Sequence, residues 1–270
     1  MTFRVIATIA ASVFRESVRD KVLYNLVFFA VLMIAVSYLL SQLTAGQDIK
    51  VIKDLGLAAM SLFGLFIAVF IGIGLVSKEV EKRSIYALLT KPIRREEFII
   101  GKYLGLVMTL LVNLAVMAAA YYAVLAMVAW VDGAWFRPHW EAPAVDPALL
   151  KAIAMIFLQL AIVVALALFF STFSSPMLAA ALTFGLYVVG HFNADLRNFE
   201  RVVDSKAIAG LARGLYYVLP NLAPLDVKSD VVHAVPVPAP YLLLNMAYAL
   251  VYVAILVSAA TFIFTRRDFK

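Results

Sequence analysis

Residues 78–102 read KEVEKRSIYALLTKPIRREEFIIGK, with 11 charged side chains in 25 positions. The chain around them is strongly apolar. Of its 270 residues, 64% are hydrophobic and only 15% charged, and the mean hydropathy is +0.96. Water-soluble domains carry roughly 45–50% apolar and about 25% charged residues. So much apolar surface cannot be hidden in one water-soluble core. The composition is that of a membrane protein, and the charged block is a connection between two spans.

A bilayer core needs roughly 20 apolar residues per helical crossing. Six segments qualify: 22–43, 55–77, 103–131, 149–173, 176–192 and 241–265. The fifth is the shortest. It follows the fourth after STFSSP (171–176), whose proline is placed to begin a helix. Residues 149–192 are too many for one crossing, so they read as a hairpin of two spans. Six crossings put both termini on one side. That side, with residues 1–21, 78–102 and the C-terminal tail, holds 14 of the 23 Lys and Arg residues and 7 of the 17 acids. The opposite side holds 9 basic and 10 acidic residues. Basic residues near span ends favour the cytoplasm, so both termini and the charged block are expected inside. This topology accounts for the net charge of +6 without a nucleic-acid partner. The expected fold is an all-α integral membrane protein with six transmembrane helices, one domain over residues 1–270. Its parts are an interfacial helix (1–21), a cytoplasmic segment (78–102) and an extracytoplasmic cap (193–240).

In the N-terminal segment Phe3, Ile6, Ala10, Val13, Phe14 and Val18 recur at helical spacing, with Arg15 and Arg19 on another side. Two readings fit: an amphipathic helix at the membrane surface, or a plain extension of the first span. Residues 44–54 form a short outer loop, and 132–148 an irregular one with Trp135, Trp140 and three prolines. In the cap, Ile208, Leu211, Leu215 and Val218 can share a helical face. Pro220, Pro224, Pro236, Pro238 and Pro240 then favour an extended fold over another span. Small residues four apart, Gly64–Ala68–Gly72 and Ala115–Ala119–Ala123, allow close helix approach, expected within the protomer. No Asp, Glu, Lys or Arg lies deep in a span, which argues against an ion-coupled carrier.

Catalytic signatures are absent. There is no phosphate-binding G-x-x-x-x-G-K-[ST] loop, no H-E-x-x-H and no G-x-S-x-G. No catalytic or cofactor-binding residue is assigned, and with no cysteine there are no disulfides or thiolate metal sites. His139 with Glu141, or His191 with Asp195, leaves a metal site open on spacing alone; polar interface residues are the simpler reading. Among polar residues within spans, Asn113 and Gln159 lie mid-span and are the candidates for a substrate path. In the charged block, residues 78–90 place Ile85, Leu88 and Leu89 on one helical face. Pro92 breaks the run. A second short helix then starts near Arg94, with Glu96 and Glu97 favourably placed in its first turn. The result is a proline corner with a charged tip projecting inward, suited either to a solvated turn or to a lever for a soluble partner.

The block resembles the permease subunits of ABC-2-type (type V) ABC transporters. It carries that family's pattern at Glu79, Glu81, Ser84, Ile85, Leu88, Leu89, Pro92, Ile93, Arg95, Glu97, Ile99, Ile100 and Lys102. The serine-rich hairpin at 171–176 and FTRRDF at 264–269 agree, whereas Ser84-Ile85 departs mildly from the small-residue-plus-threonine position. The resemblance implies a half-transporter of the six-span bacterial type in the inner membrane, an exporter that moves a substrate outward or within the bilayer. It pairs with a second permease, preferably its own copy, on an ABC ATPase dimer that binds ATP and Mg; no cofactor is expected in this chain. ATPase docking then falls on Glu79, Glu81, Arg83, Pro92, Arg94, Arg95, Glu96, Glu97 and Phe98. A non-transporting membrane anchor driven by the same ATPase, and an ATPase-independent carrier, remain the alternatives; the substrate is not specified.

Overall fold

The computed structural model describes residues 2–41, 48–81, 94–131, 144–192, 210, 214, 216 and 219–266. Its order is α1 (Thr2–Val18), α2 (Lys21–Ser41), α3 (Asp48–Glu81), α4 (Arg95–Val131), α5 (Leu149–Ser171) and α6 (Pro176–His191). A 3₁₀ turn (Ala223–Leu225), α7 (Lys228–Val232) and α8 (Ala239–Arg266) follow. No strand occurs among the described residues. The fold is an all-α membrane bundle: α2, α3, α4, α5 and α8 are each long and apolar enough to cross a bilayer.

α5 is the central helix. It packs against α3, α4, α6, α7 and α8, and every residue from Gln159 to Leu168 is buried. A helix that is apolar all round belongs in such an interior position. In hydrocarbon, burying apolar side chains supplies little attraction between helices, so close contact must provide it. Gly64, Ala68 and Gly72 of α3 give that contact. A Cβ on Gly64 would overlap Leu160 Cδ1, and one on Gly72 would lie 2.5 Å from the Ala167 Cβ. The Ala115–Ala119–Ala123 ladder behaves differently: all three residues are exposed on the outer face of α4.

Two boundaries differ from the sequence expectation. α3 begins at Asp48 rather than 55, because Asp48, Lys50, Lys53 and Asp54 lower the hydropathy without breaking the helix. Lys53 is buried there, and its carbonyl accepts the Tyr121 hydroxyl at 3.2 Å. α4 is one helix of 37 residues, so the separate short helix expected near Arg94 is its first turns; nothing between Arg95 and Tyr103 breaks it. α6 has only 16 residues, about 24 Å at 1.5 Å per residue, against a hydrocarbon core of roughly 30 Å.

The shortfall of α6 is filled by residues 219–238. His191, at its end, lies opposite Gln159 (2.7 Å), which is roughly ten residues, or about 15 Å, into α5. Beyond that level Leu222, Leu225, Val227, Val231 and Val232 are buried against the bundle. The Leu222 N–H donates to Gly190 O at 2.9 Å, and Lys151 Nζ to Val237 O at 3.3 Å. The proline-rich cap is therefore tucked in among the helices. The helical face expected at Ile208, Leu211, Leu215 and Val218 lies outside the described residues.

α1 is amphipathic, with Ala10, Val13 and Ser17 turned inward and Phe3 83% exposed. It crosses the start of α4 where Gly101 and Gly105 remove the side chains between them. A Cβ on Gly105 would stand 2.7 Å from both Ala10 O and Val13 Cβ. Because one of these is backbone, it cannot swing aside. Gly105→Ala is expected to destabilise the protein by about 1–3 kcal/mol, the usual cost of overpacking. Gly185→Ala, where a Cβ meets nothing within 4 Å, should be neutral or stabilising by about 0.4–1 kcal/mol. Thermal melts of both variants in the same detergent test the contrast.

Candidate functional site

At the end of the bundle that carries the charged block, α4 starts with a local cap. Glu97, three residues into the helix, reaches back so that the Arg94 N–H points at its Oε2 (3.4 Å), the acidic half of a capping box. That reach turns Glu97 inward, and it is only 7% exposed. Phe98 follows it inside and stacks on Phe264 of α8 at 5.8 Å between ring centroids. Lys102 is buried one turn on, its Nζ 4.5 Å from the Phe98 ring centre, a cation–π distance.

Arg95 ties this corner to the last helix. Its Nη1 donates to Phe264 O (3.3 Å) and Thr265 O (2.9 Å). The last carbonyls of a helix lack intrahelical donors and carry its negative dipole end, so a guanidinium there answers both needs. Arg94 and Glu96 remain exposed. The five residues expected to form one charged tip thus divide: Arg94 and Glu96 face out, Glu97 turns in to cap the helix, and Arg95 and Phe98 brace the tip on α8. With α1 packed on Gly101 and Gly105, the start of α4 is held against both α1 and α8. Glu79 and Glu81 lie on the α3 helix, and Arg83 and Pro92 lie outside the described residues.

At the other end a cavity of about 520 Å³ opens between α3, α6 and the cap, lined by Asp54, His191, Asp226, Lys228 and Ser229 among others. Lys228 Nζ is held by Asp226 Oδ2 (3.4 Å) and by Ser61 Oγ (3.3 Å). His191 Nδ1 lies 2.8 Å from Tyr187 O. Only a protonated nitrogen can donate to a carbonyl, so in the neutral ring Nε2 is the acceptor for the Gln159 amide N–H. Gln159 is 1% exposed, and the bond carries it to the edge of the cavity. Asn113 is placed apart from this group, its Nδ2 donating to Thr109 O on its own helix at 2.9 Å.

Sequence reasoning picked Gln159 for its depth and read His191 as a polar interface residue, with a metal site beside Asp195 left open, but it did not pair the two and assigned no role to Lys228 and Asp226. Their approach depends on the shortness of α6, which its apolar run of 176–192 already showed, and on the cap folding into the space beyond it, which no local pattern signals. His139, Glu141 and Asp195 lie outside the described residues, and no cluster of His, Asp and Glu able to hold a metal occurs among the described ones.

A search of curated proteins gives no match for this chain. A family model described as "ABC-2 family transporter protein" matches residues 7–269, nearly the whole length. With its multi-pass helical bundle, the chain belongs to the ABC-2 transporter family and is a membrane permease subunit whose family works with an ABC ATPase.

Proposed function

We propose that this permease couples ATP hydrolysis on a separate ATPase dimer to export of a substrate across a bacterial inner membrane. Both termini and residues 78–102 lie in the cytoplasm, and a second copy of the chain completes the translocation unit. ATP and Mg are held by the ATPase subunits. One observation carries the reading: the exposed pair Arg94 and Glu96 sits on a helix start that Arg95, Phe98 and Gly105 fasten to α8 and α1. A solvated turn has no need of such bracing, whereas a docking lever does. Glu79, Glu81, Arg83 and Pro92 complete the docking segment in this proposal.

The outer cavity supports transport over a purely force-transmitting role. A cleft beside His191, with Asp226, Lys228 and Ser229 in its wall, offers a substrate hydrogen-bonding partners part-way along the bundle, where lipid offers none. Asn113 remains a second candidate on the path. The exposed Ala115–Ala119–Ala123 ladder is consistent with a further helix, from a second copy, approaching α4.

Charge reversal at the exposed pair tests docking. Arg94→Glu with Glu96→Arg should leave the melting temperature nearly unchanged, since surface ion pairs contribute about 0–1 kcal/mol. Co-purification with the ATPase should fall at least roughly tenfold, the loss expected when interface residues of hot-spot weight are replaced. Undiminished assembly and hydrolysis in the reconstituted complex would count against the docking role.

Orientation has its own test, made clean by the absence of native cysteine. Asp230→Cys and Glu96→Cys occupy exposed positions at opposite ends. A membrane-impermeant maleimide added to intact cells should label the first and spare the second until the cells are opened. The reverse pattern would invert the topology and with it the docking reading.

A further inference from the structure

The His191 ring makes one polar contact through each nitrogen. Nδ1 lies 2.8 Å from Tyr187 O, and Nε2 lies 2.7 Å from the Gln159 Nε2. A carbonyl only accepts, so Nδ1 carries a proton whether the ring is neutral or charged. The second proton of an imidazolium must then go to Nε2. There it would meet the Gln159 NH2 group, which only donates. Two N–H groups facing one another at this distance repel, so the contact as it stands requires a neutral ring.

Gln159 has a second arrangement open to it. The residue is 1% exposed, and its Oε1 is buried without a hydrogen bond, which is costly for an amide oxygen. The last torsion of a glutamine is broad and roughly two-fold. Half a turn about it exchanges the NH2 group for an oxygen of nearly the same size in the same space, and neither helix has to move. The oxygen then accepts the Nε2–H of the charged ring, and hydrogen bonds to ionised groups are the stronger kind.

We propose that His191 and Gln159 form a proton-operated switch in the wall of the cavity between α3, α6 and the cap, in which the charge on the ring and the direction of the amide change together. His191 lines that cavity, which gives the ring its route to protons. Among the described residues, the charged and titratable groups around it are Asp54 of α3, Asp226 and Lys228 of the cap, and Tyr187 of α6; α5 presents the Gln159 amide. Asp226 and Lys228 hold one another at 3.4 Å. The Tyr187 ring centre is 4.5 Å from that of His191, close enough to attract a cationic ring. These neighbours set the pH at which the switch turns, while the coupling rests on the two contacts of the ring. One positive charge enters the cavity wall on the acid side, so anionic groups of a ligand are favoured there and lose that advantage on the alkaline side. The inference rests on hydrogen-bond geometry and not on the transport reading, so each can fail alone.

With three histidines and three glutamines in the chain, selective ¹⁵N labelling gives few enough side-chain signals to follow one by one. The test is an NMR titration of the full chain in micelles from about pH 8 to pH 5, the range in which imidazoles change charge. Gln159→Met and His191→Asn assign the two signals. His139→Asn with His233→Asn leaves His191 as the one histidine, and assigns it even if His191→Asn does not fold. At the alkaline end His191 should carry its proton on Nδ1 with Nε2 bare. On acidification Nε2 should gain a proton, and the Gln159 amide signal should shift with the same midpoint. In His191→Asn the Gln159 signal should stay still across the range. A neutral ring protonated on Nε2, or a His191 that remains neutral down to about pH 5, overturns the proposal. So does a Gln159 signal that is flat in the natural chain, follows a different midpoint, or still titrates in His191→Asn.

Discussion

Helices surrounded by hydrocarbon gain little by hiding apolar side chains from one another, because the lipid is equally apolar. What remains is the distance to which their backbones can approach, and this constraint organises the bundle. α3 settles on α5 where Gly64, Ala68 and Gly72 clear the way. α1 settles on α4 where Gly101 and Gly105 do the same. Large residues then fill what the glycines vacate: the Tyr121 ring lies against Gly56, and its hydroxyl closes on the Lys53 carbonyl. The result places α5, buried on all sides over residues 159–168, at the axis about which the other helices are arranged.

The two ends of that axis solve opposite problems. At the charged end, the carbonyls that close α8 need donors, and Arg95 supplies them from the first turn of α4. The same turn exposes Arg94 and Glu96. Surface charge and internal bracing are thus interleaved along one helix start, residue by residue. At the far end α6 stops early, and the gap admits a folded loop with its own polar groups. Gln159, His191, Ser61, Lys228 and Asp226 meet there through side chains from α5, α6, α3 and the cap. Within the group Lys228 bonds to Asp226 and Ser61 and Gln159 meets His191, while the Gln159 Oε1 is buried without a hydrogen bond.

Much of this was legible in residues 1–270 read as a string. Apolar runs mark helices, and the hairpin at 171–176 is marked by its serines and Pro176, which the structure places at the start of α6. The family pattern over residues 79–102 agrees with the match to residues 7–269. Helix ends were less legible, since Asp48 to Asp54 is charged yet helical and hydropathy registers solvation rather than backbone conformation. The two small-residue ladders look alike as sequence, but one is buried against α5 and the other is exposed. Spacing describes a face, and only the arrangement of helices says what covers it.

The sequence by itself determined that the chain is an all-helical membrane protein of the ABC-2 family, because length and polarity of each segment are local properties set by the solvent it must match. It also marked the charged block as the unusual connection. Only the tertiary structure decided which of those charges face out, that Phe98 and Arg95 lock onto α8, and that Gln159 meets His191. These are meetings between residues 32 to 170 positions apart, settled by how closely each pair of helices can pack and by where a buried donor can find its acceptor.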